Sequence, residues 1–359
     1  MHRPQGHHNR LPFTILLIGV LVACFGLIAI YDASVIDAFR TFGDKYHYVK
    51  QQALWICIGV VVAVITANIP MQIFKKNAHI FYGITLLFMF LVLIPGIGSK
   101  YLGARRWIDI GITVIQPSEL LKITLAIYLA KWMETEHSLK QFLILLSLNL
   151  GLIMLQPDLG TALIIAGVSF MVFYLSGARS KDIITFCFIL LLGISTLILV
   201  SPYRLNRLKT FMDPTTDPLG SSYHINQILY SLGSGGLNGV GLGKSRQKYA
   251  YLPEATTDSI FAIIAEEFGF LGSAIFIAIM FGLLMASFKV AVNVNDKFDK
   301  LLASSISLMF LIQIFVNLSS MVALVPLTGV PLPFISYGGS SLVTNFIALG
   351  LLINIAKRT

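Results

Sequence analysis

Apolar stretches long enough to cross a membrane recur along almost the whole of this 359-residue chain. A transmembrane helix needs about 20 mostly apolar residues, whereas a secretory signal has a single short apolar stretch. The chain is only 12% charged, which is about half of the charge expected of a soluble domain. We place the apolar stretches at residues 12–31, 51–69, 78–95, 117–133, 141–156, 158–176, 182–200, 258–288, 301–325 and 338–356. The sequence therefore predicts an all-α fold, a polytopic membrane protein of about ten transmembrane helices in a single integral membrane domain, residues 1–359.

The distribution of basic residues predicts the orientation of the chain in the membrane. An even number of spans puts both termini on one side, and the short loops on that side carry about twice as many Lys and Arg residues as the short loops opposite. By the positive-inside rule, both termini are expected on the cytoplasmic side. The same rule accounts for the net charge of +9, so nucleic acid is not expected as a partner.

One long loop, residues 201–257, is then expected on the extracytoplasmic side. The positive-inside rule does not call for basic residues there, and their presence favours an anionic partner, either a lipid pyrophosphate or anionic lipid headgroups. Residues 203–212 place apolar side chains on one helical face, which predicts a short interfacial helix. The basic residues that we single out in this loop are Arg204, Arg207, Lys244, Arg246 and Lys248.

A glycine-rich run, residues 233–243, lies near the end of this loop. Glycines allow backbone amides to approach a ligand closely, but the same run is typical of a flexible or re-entrant lid, and both interpretations stay open. Asp258 follows at the start of the eighth span, and Thr256 or Thr257 is expected to cap that helix and place Asp258 in its first turn. A first-turn acid is also favoured by the helix dipole alone, but its position after a basic loop makes Asp258 our first candidate for chemistry.

Further polar groups lie inside the predicted spans, where ionisable side chains are costly and often functional. Glu266 is expected well inside the eighth span, facing a cavity or a buried ionic partner. Glu119 and Lys122 are spaced to pair with each other, as a structural clasp, or with groups on another span. Three prolines between residues 326 and 333 predict a broken or re-entrant segment before a closely packed final helix. The three cysteines lie in apolar runs and indicate neither a disulfide nor a zinc site, and His224 and the other histidines form no ligand pattern.

Several long motifs, taken in order, resemble the SEDS family, the shape, elongation, division and sporulation proteins. The resemblance covers nearly the whole chain and is closer to the FtsW branch than to the RodA branch. One departure is Ser259, where the family usually has Phe. The motifs are residues 30–34 (IYDAS), 103–108 (GARRWI), 116–122 (QPSELLK), 156–160 (QPDLG), the loop from 239 through 258 to 267, and 331–341 (PLPFISYGGSS).

The resemblance implies a peptidoglycan glycosyltransferase that polymerises lipid II. The expected role is septal cell-wall synthesis during division, and an elongation role of the RodA type is the alternative. The resemblance also implies a protein of the bacterial inner membrane. Asp258 matches the family's essential aspartate, as the base, as a group that orients the acceptor, or as a ligand of a divalent cation, Mg²⁺ or Mn²⁺; no other cofactor is expected. We assign substrate binding to Arg105 and the five basic loop residues, and supporting roles to Glu119, Lys122, Glu266 and Ser336. The expected partners are lipid II, a class B penicillin-binding protein and other division proteins. A lipid II flippase and a scaffold without activity are the competing functions.

Overall fold

The computed structural model describes residues 10–101, 104–111, 113–135, 137–213, 215, 217, 220, 222–249 and 251–358. Gly103, the first residue of the GARRWI motif, lies outside the described residues. Thirteen helices and three strands lie within the described part of the chain. The helices are α1 (Leu11–Phe42), α2 (His47–Thr66), α3 (Met71–Lys76), α4 (Ala78–Leu91), α5 (Pro117–Trp132), α6 (Leu139–Leu155), α7 (Leu159–Leu175), α8 (Ser180–Val200), α9 (Pro202–Met212), α10 (Tyr223–Gly235), α11 (Ile260–Asn293), α12 (Lys297–Met321) and α13 (Gly339–Ala356). The strands are β1 (Gly98–Tyr101), β2 (Ala104–Asp109) and β3 (Val114–Ile115).

A helix lies at each of the ten predicted spans, namely α1, α2, α4 to α8 and α11 to α13. Among the described residues, six of these helices are long and apolar enough to cross a membrane: α1, α2, α8, α11, α12 and α13. Three more, α4, α6 and α7, are apolar but shorter. The polytopic helical membrane fold is therefore confirmed, while the number of ten spans stays a prediction.

A small antiparallel sheet between α4 and α5 departs from the all-α prediction. Its strand order is β1-β2-β3, with Lys100 opposite Arg105 and Ile108 opposite Ile115. Residues 105–109 (RRWID) do not alternate between polar and apolar side chains, and the segment is short beside the apolar runs around it, so periodicity does not indicate this strand. Strand β2 carries Arg105 and Arg106, the two arginines of the GARRWI motif at residues 103–108.

The middle of the bundle is formed by α12, which packs against α5, α7, α11 and α13. Gln313 and Asn317, one helical turn apart on α12, are both buried. In contrast, α8 lies at the periphery, and Phe186 is the buried residue of that helix within the described chain. The buried polar face of α12 places hydrogen-bonding groups beneath the start of α11.

Two helices lie inside the long loop. α9 coincides with the short helix predicted for residues 203–212, and α10 was not predicted. Ile225, Ile228 and Leu232 form an apolar stripe on α10 that packs into the core, and α10 lies against α11. This stripe has the helical spacing that identifies an amphipathic helix, but the glycines that follow it obscure the signal.

A break in α11 receives the glycine-rich run. At Gly269 the backbone leaves the helical conformation, with φ 66° and ψ −166°, and so leaves preceding carbonyls unpaired within the helix. The amide groups of Val240 and Gly241 donate hydrogen bonds of 3.0 Å each to the carbonyl oxygens of Glu266 and Glu267. These two amides are therefore bonded to α11 instead of being available to a ligand.

The second half of α11 is bound to the same run. Phe270 and Leu271 donate their amide hydrogens to the carbonyl oxygens of Gly236 (2.9 Å) and Leu237 (3.1 Å). The contact needs glycine at position 239, where φ is +77° and a Cβ atom would lie 2.0 Å from the Glu267 carbonyl oxygen. The long loop is therefore anchored to the interior of α11 by backbone hydrogen bonds.

Candidate active site

Asp258 lies in a turn immediately before α11, which begins at Ile260 with Ser259 as the N-cap residue. The prediction that Asp258 occupies the first helical turn, capped by Thr256 or Thr257, is therefore wrong. The side-chain hydroxyl of Thr257 donates to the Glu254 carboxylate at 2.8 Å, so it is directed back into the turn. Contacts from the end of the chain, which local sequence rules do not include, fix this turn outside the helix.

The backbone around Asp258 is held by α12 and by the segment between α12 and α13. The side-chain amide of Asn317 donates to the Asp258 carbonyl oxygen at 2.9 Å and to the Val330 carbonyl oxygen at 2.8 Å. The buried Ser336 hydroxyl donates to the Thr257 carbonyl oxygen at 2.6 Å. Ser336 therefore lies where a supporting residue is expected, one residue from Asp258, although its effect on activity stays a prediction.

The Asp258 side chain is half-buried among charged groups from four segments. A Cβ atom on Gly329 would lie 3.2 Å from its Oδ2 atom, so the carboxyl group lies against that part of the backbone. The pKa of Asp258 is raised to about 7: burial is the main cause, the carboxylates of Glu254 and Asp158 also act to raise it, and the guanidinium groups of Arg207 and Arg106 act to lower it. The resulting carboxyl group is able to take up and release a proton near neutral pH.

Arg106 is held at the site by the start of α7. Its Nε atom donates to the Gln156 carbonyl oxygen at 2.8 Å, and a terminal nitrogen donates to the Pro157 carbonyl oxygen. The sequence-based prediction named Arg105 and not Arg106. Arg105 is half-buried on β2, and among the described residues it is not one of the charges that shift the pKa of Asp258. Successive residues of a strand point to opposite faces, so a strand assignment would have separated these two arginines.

The basic residues of α9 point in different directions. Arg207 donates to the Leu327 carbonyl oxygen at 2.7 Å, beside the segment that covers Asp258. Arg204 donates to the Leu197 carbonyl oxygen at 3.1 Å, at the end of α8. Of the two, the structure brings Arg207 to the candidate site.

The three basic residues after the glycine run are in two environments. Lys244 and Arg246 are exposed and form none of the salt bridges found among the described residues. Lys248 is buried, with its Nζ atom 2.6 Å from Asp32 Oδ1 and 3.5 Å from Glu267 Oε1. The charge of Lys248 is therefore neutralised within the protein, whereas Lys244 and Arg246 remain open to an anionic ligand.

Glu266 accepts hydrogen bonds from the same segment. Its carboxylate binds the Ser245 hydroxyl and the Arg246 amide, while the Glu267 carboxylate binds the Ser245 amide at 3.0 Å. Glu266 lies in the second turn of α11, eight residues after Asp258. Glu266 thus fixes the loop against α11, while its role in supporting activity stays a prediction. We call Asp32, Ser245, Lys248, Glu266 and Glu267 the loop clamp.

Glu119 and Lys122 form a buried ion pair within the first two turns of α5. Lys122 Nζ lies 2.7 Å from Glu119 Oε2, and the side chains are 1% and 4% exposed, respectively. Gln116, the residue before α5, donates a hydrogen bond from its side-chain amide to Asp158 Oδ2 at 3.4 Å. This bond connects the start of α5 with a carboxylate that acts on Asp258. The structure therefore contains the predicted pair, and its role in supporting the site stays a prediction.

A metal site is not preformed by side chains in the described chain, where no three His, Cys, Asp or Glu residues converge. Asp258 and Asp158 are close enough to interact electrostatically. A cation held between them would need further ligands from a substrate or from water.

Comparisons with known proteins agree with this architecture. The chain matches the FtsW, RodA and SpoVE family of cell cycle proteins over residues 12–359. It is 38% identical to stage V sporulation protein E of Bacillus subtilis (strain 168), with 96% of each chain covered. It is 37% identical to a probable peptidoglycan glycosyltransferase FtsW of Trichlorobacter lovleyi, over 95% of this chain and 92% of the relative.

Solved structures have the same fold. A chain of a peptidoglycan synthase complex superposes with a TM-score of 0.80 at 27% identity, covering 96% of this chain and 97% of the other. The rod shape determining protein RodA of Thermus thermophilus gives 0.71 at 27% identity, covering 96% and 95%. As its motifs predict, the chain belongs to the SEDS proteins, the FtsW, RodA and SpoVE family of cell cycle proteins.

Proposed function

We infer that this membrane protein is a peptidoglycan glycosyltransferase that polymerises lipid II at the outer face of the bacterial cytoplasmic membrane. The observation that carries the inference is Asp258, a half-buried carboxyl group with a pKa of about 7, with Arg106 and Arg207 nearby. Relatives that match over nearly their full length are named probable peptidoglycan glycosyltransferases. We assign the polar site to the outer face because the short-loop basic residues predict that both termini lie inside.

Glycosyl transfer from a lipid diphosphate needs a base and a group that stabilises a departing anion. Asp258 accepts the proton of the acceptor sugar hydroxyl as that oxygen bonds to the anomeric carbon of the donor. The bond between that carbon and the diphosphate oxygen breaks, and its electron pair leaves with the lipid diphosphate. Arg207 and Arg106 then stabilise the diphosphate charge, with Lys244 and Arg246 on the exposed part of the loop as further candidates.

Purified protein assayed on lipid II, alone and with a class B penicillin-binding protein, tests this function. Asp258→Asn removes the base and is expected to lower polymerisation at least about 100-fold, the lower end of the range for general base catalysis. Asp109→Asn is the matched control, because Asp109 is exposed on β2 and its Oδ1 atom accepts a hydrogen bond from Gly111 that asparagine retains. Undiminished polymerisation by Asp258→Asn would remove Asp258 from catalysis.

The same preparation distinguishes the competing functions. A flippase would move lipid II across vesicle membranes and form no polymer, and a scaffold would form none with or without its partner. Loss of activity in EDTA, with recovery in Mg²⁺ or Mn²⁺, would assign Asp258 to a cation instead of a proton.

We also propose that the protein works beside a class B penicillin-binding protein and other division proteins in septal wall synthesis. The support is the similarity to a chain of a peptidoglycan synthase complex and to relatives named SpoVE and FtsW. Depletion in cells tests the role: filaments with blocked septa are expected, and round cells with normal septa would instead indicate elongation.

A further inference from the structure

His224 contacts the residue that follows Asp258. It lies in the first turn of α10, and its Nε2 atom is 2.7 Å from the Ser259 hydroxyl oxygen. Ser259 is completely buried, and it is the N-cap residue of α11. A serine at this position usually accepts a hydrogen bond from the first helical turn, but here its hydroxyl group is directed to the imidazole.

This contact completes the attachment of α10 to α11. At the far end of α10, Gly236 and Leu237 accept hydrogen bonds from the second half of α11. At the near end, His224 contacts Ser259, the N-cap residue of the same helix. The two attachments fix α10 along the segment of α11 that begins beside Asp258.

The turn that carries Asp258 is short and depends on Ser259. The amides of Thr257 and Ser259 both donate to the Glu254 carbonyl oxygen at 3.1 Å. Because Asp258 lies between these two amides, a rotation at Ser259 would turn the Asp258 side chain. The hydrogen bond between His224 and Ser259 therefore fixes the residue on which the orientation of Asp258 depends.

His224 and Asp258 also share the same charged neighbours. Burial lowers the pKa of His224, Glu254 of the turn acts to raise it, and Arg207 of α9 acts to lower it. Glu254 and Arg207 act on Asp258 too. A neutral imidazole adds no positive charge beside Asp258, and in either tautomer its Nε2 atom shares one hydrogen bond with the Ser259 hydroxyl group.

We propose that His224 is a positioning residue for Asp258, acting through its hydrogen bond to Ser259. The inference rests on the proposed role of Asp258 and adds to it a pair of residues, His224 and Ser259, that orients the base. His224 need not touch the substrate, because its effect is exerted through the turn. It follows that the turnover number depends on the pair, whereas the affinity for lipid II does not.

Four variants of the full-length protein test this pair: His224→Ala, His224→Gln, Ser259→Ala and the double alanine variant. His224→Ala is expected to lower kcat about tenfold, comparable to the loss of one buried hydrogen bond, with KM changed less than about twofold. His224→Gln keeps a side-chain amide near the Nε2 position and is expected to recover most of kcat. Ser259→Ala should match His224→Ala, and the double variant should be no slower than either, because both single changes remove the same bond.

His79→Ala is the matched control, since His79 is exposed on α4. Rates are expressed per folded protein, measured from the monodisperse fraction in detergent, so that a loss of folding does not imitate a loss of turnover. Additive losses in the double variant, or no recovery with glutamine, would overturn the inference. If Asp258→Asn is inactive while His224→Ala and Ser259→Ala are fully active, the positioning role fails and the proposed function stands. An active Asp258→Asn would instead refute the function.

Discussion

Replacement of Lys248 by methionine separates two roles for a residue that the sequence assigned to substrate binding. Lys248 is 5% exposed and contacts two carboxylates, Asp32 and Glu267, whose side chains are 11% and 3% exposed. Methionine keeps the apolar stem and removes the charge. If the clamp is the role of Lys248, the two carboxylates are left buried without their cation.

The expected cost follows from that geometry. Removal of one partner from a buried ion pair destabilises a protein by about 3–5 kcal/mol, because the remaining charge is uncompensated. Lys248→Met should therefore lower the thermal unfolding midpoint of the detergent-purified protein. Asp32→Asn in the same chain removes one of the orphaned charges and should restore part of the loss.

The assay pairs this unfolding measurement with lipid II polymerisation. Lys244→Met is the control for the unfolding measurement only, because Lys244 is exposed four residues away and loss of an exposed charge usually changes stability by less than about 0.5 kcal/mol. A Lys248→Met protein of unchanged stability with a raised KM for lipid II would refute the clamp and support diphosphate binding by Lys248.

Two further changes test the site and the loop. Burial and Glu254 raise the pKa of Asp258 to about 7, so the carboxylate that acts as the base is lost as the pH falls through that value. We therefore expect kcat/KM to drop below about pH 7. Glu254→Gln should move the midpoint of this drop to lower pH. An acid limb near pH 4 in the wild type would contradict this assignment. Gly239→Ala should destabilise the protein by about 2–4 kcal/mol, because Ala would take a positive φ and its Cβ atom would overlap the Glu267 carbonyl oxygen. Gly233→Ala on α10, where a Cβ atom meets no described atom within 4 Å, is its control in thermal unfolding, and equal midpoints would contradict the close fit.

The membrane helices are predictable from sequence because each requires a long apolar run, a property of consecutive residues. The run at 12–31 correctly locates α1, although the helix continues to Phe42 and ends at Gly43 with a left-handed φ of 69°. The sheet between α4 and α5 was missed, since its strands are short and polar. Hydropathy therefore detects the helices that face lipid but not the small elements that shape the polar end of the bundle.

The site was predictable in its central residue and not in its surroundings. Asp258 was selected from its place between a basic loop and a span, but Asn317 and Ser336, which hold its backbone, are about 60 and 80 residues away in the sequence. A helix dipole would have favoured the ionised form of Asp258. The turn instead places the carboxyl group in a buried environment, and burial is the larger influence on its pKa.

The long loop shows why glycine content alone does not indicate flexibility. Its glycines permit the backbone to enter the break at Gly269, and the carbonyl oxygens freed by that break accept the loop amides. The chain then passes the clamp at Lys248 and returns to the start of α11, where Ser336 and His224 hold the turn on either side of Asp258. Both ends of residues 236–258 are thus attached to one helix. A displacement of α11 relative to α12 would therefore move the turn that carries Asp258 and the loop together.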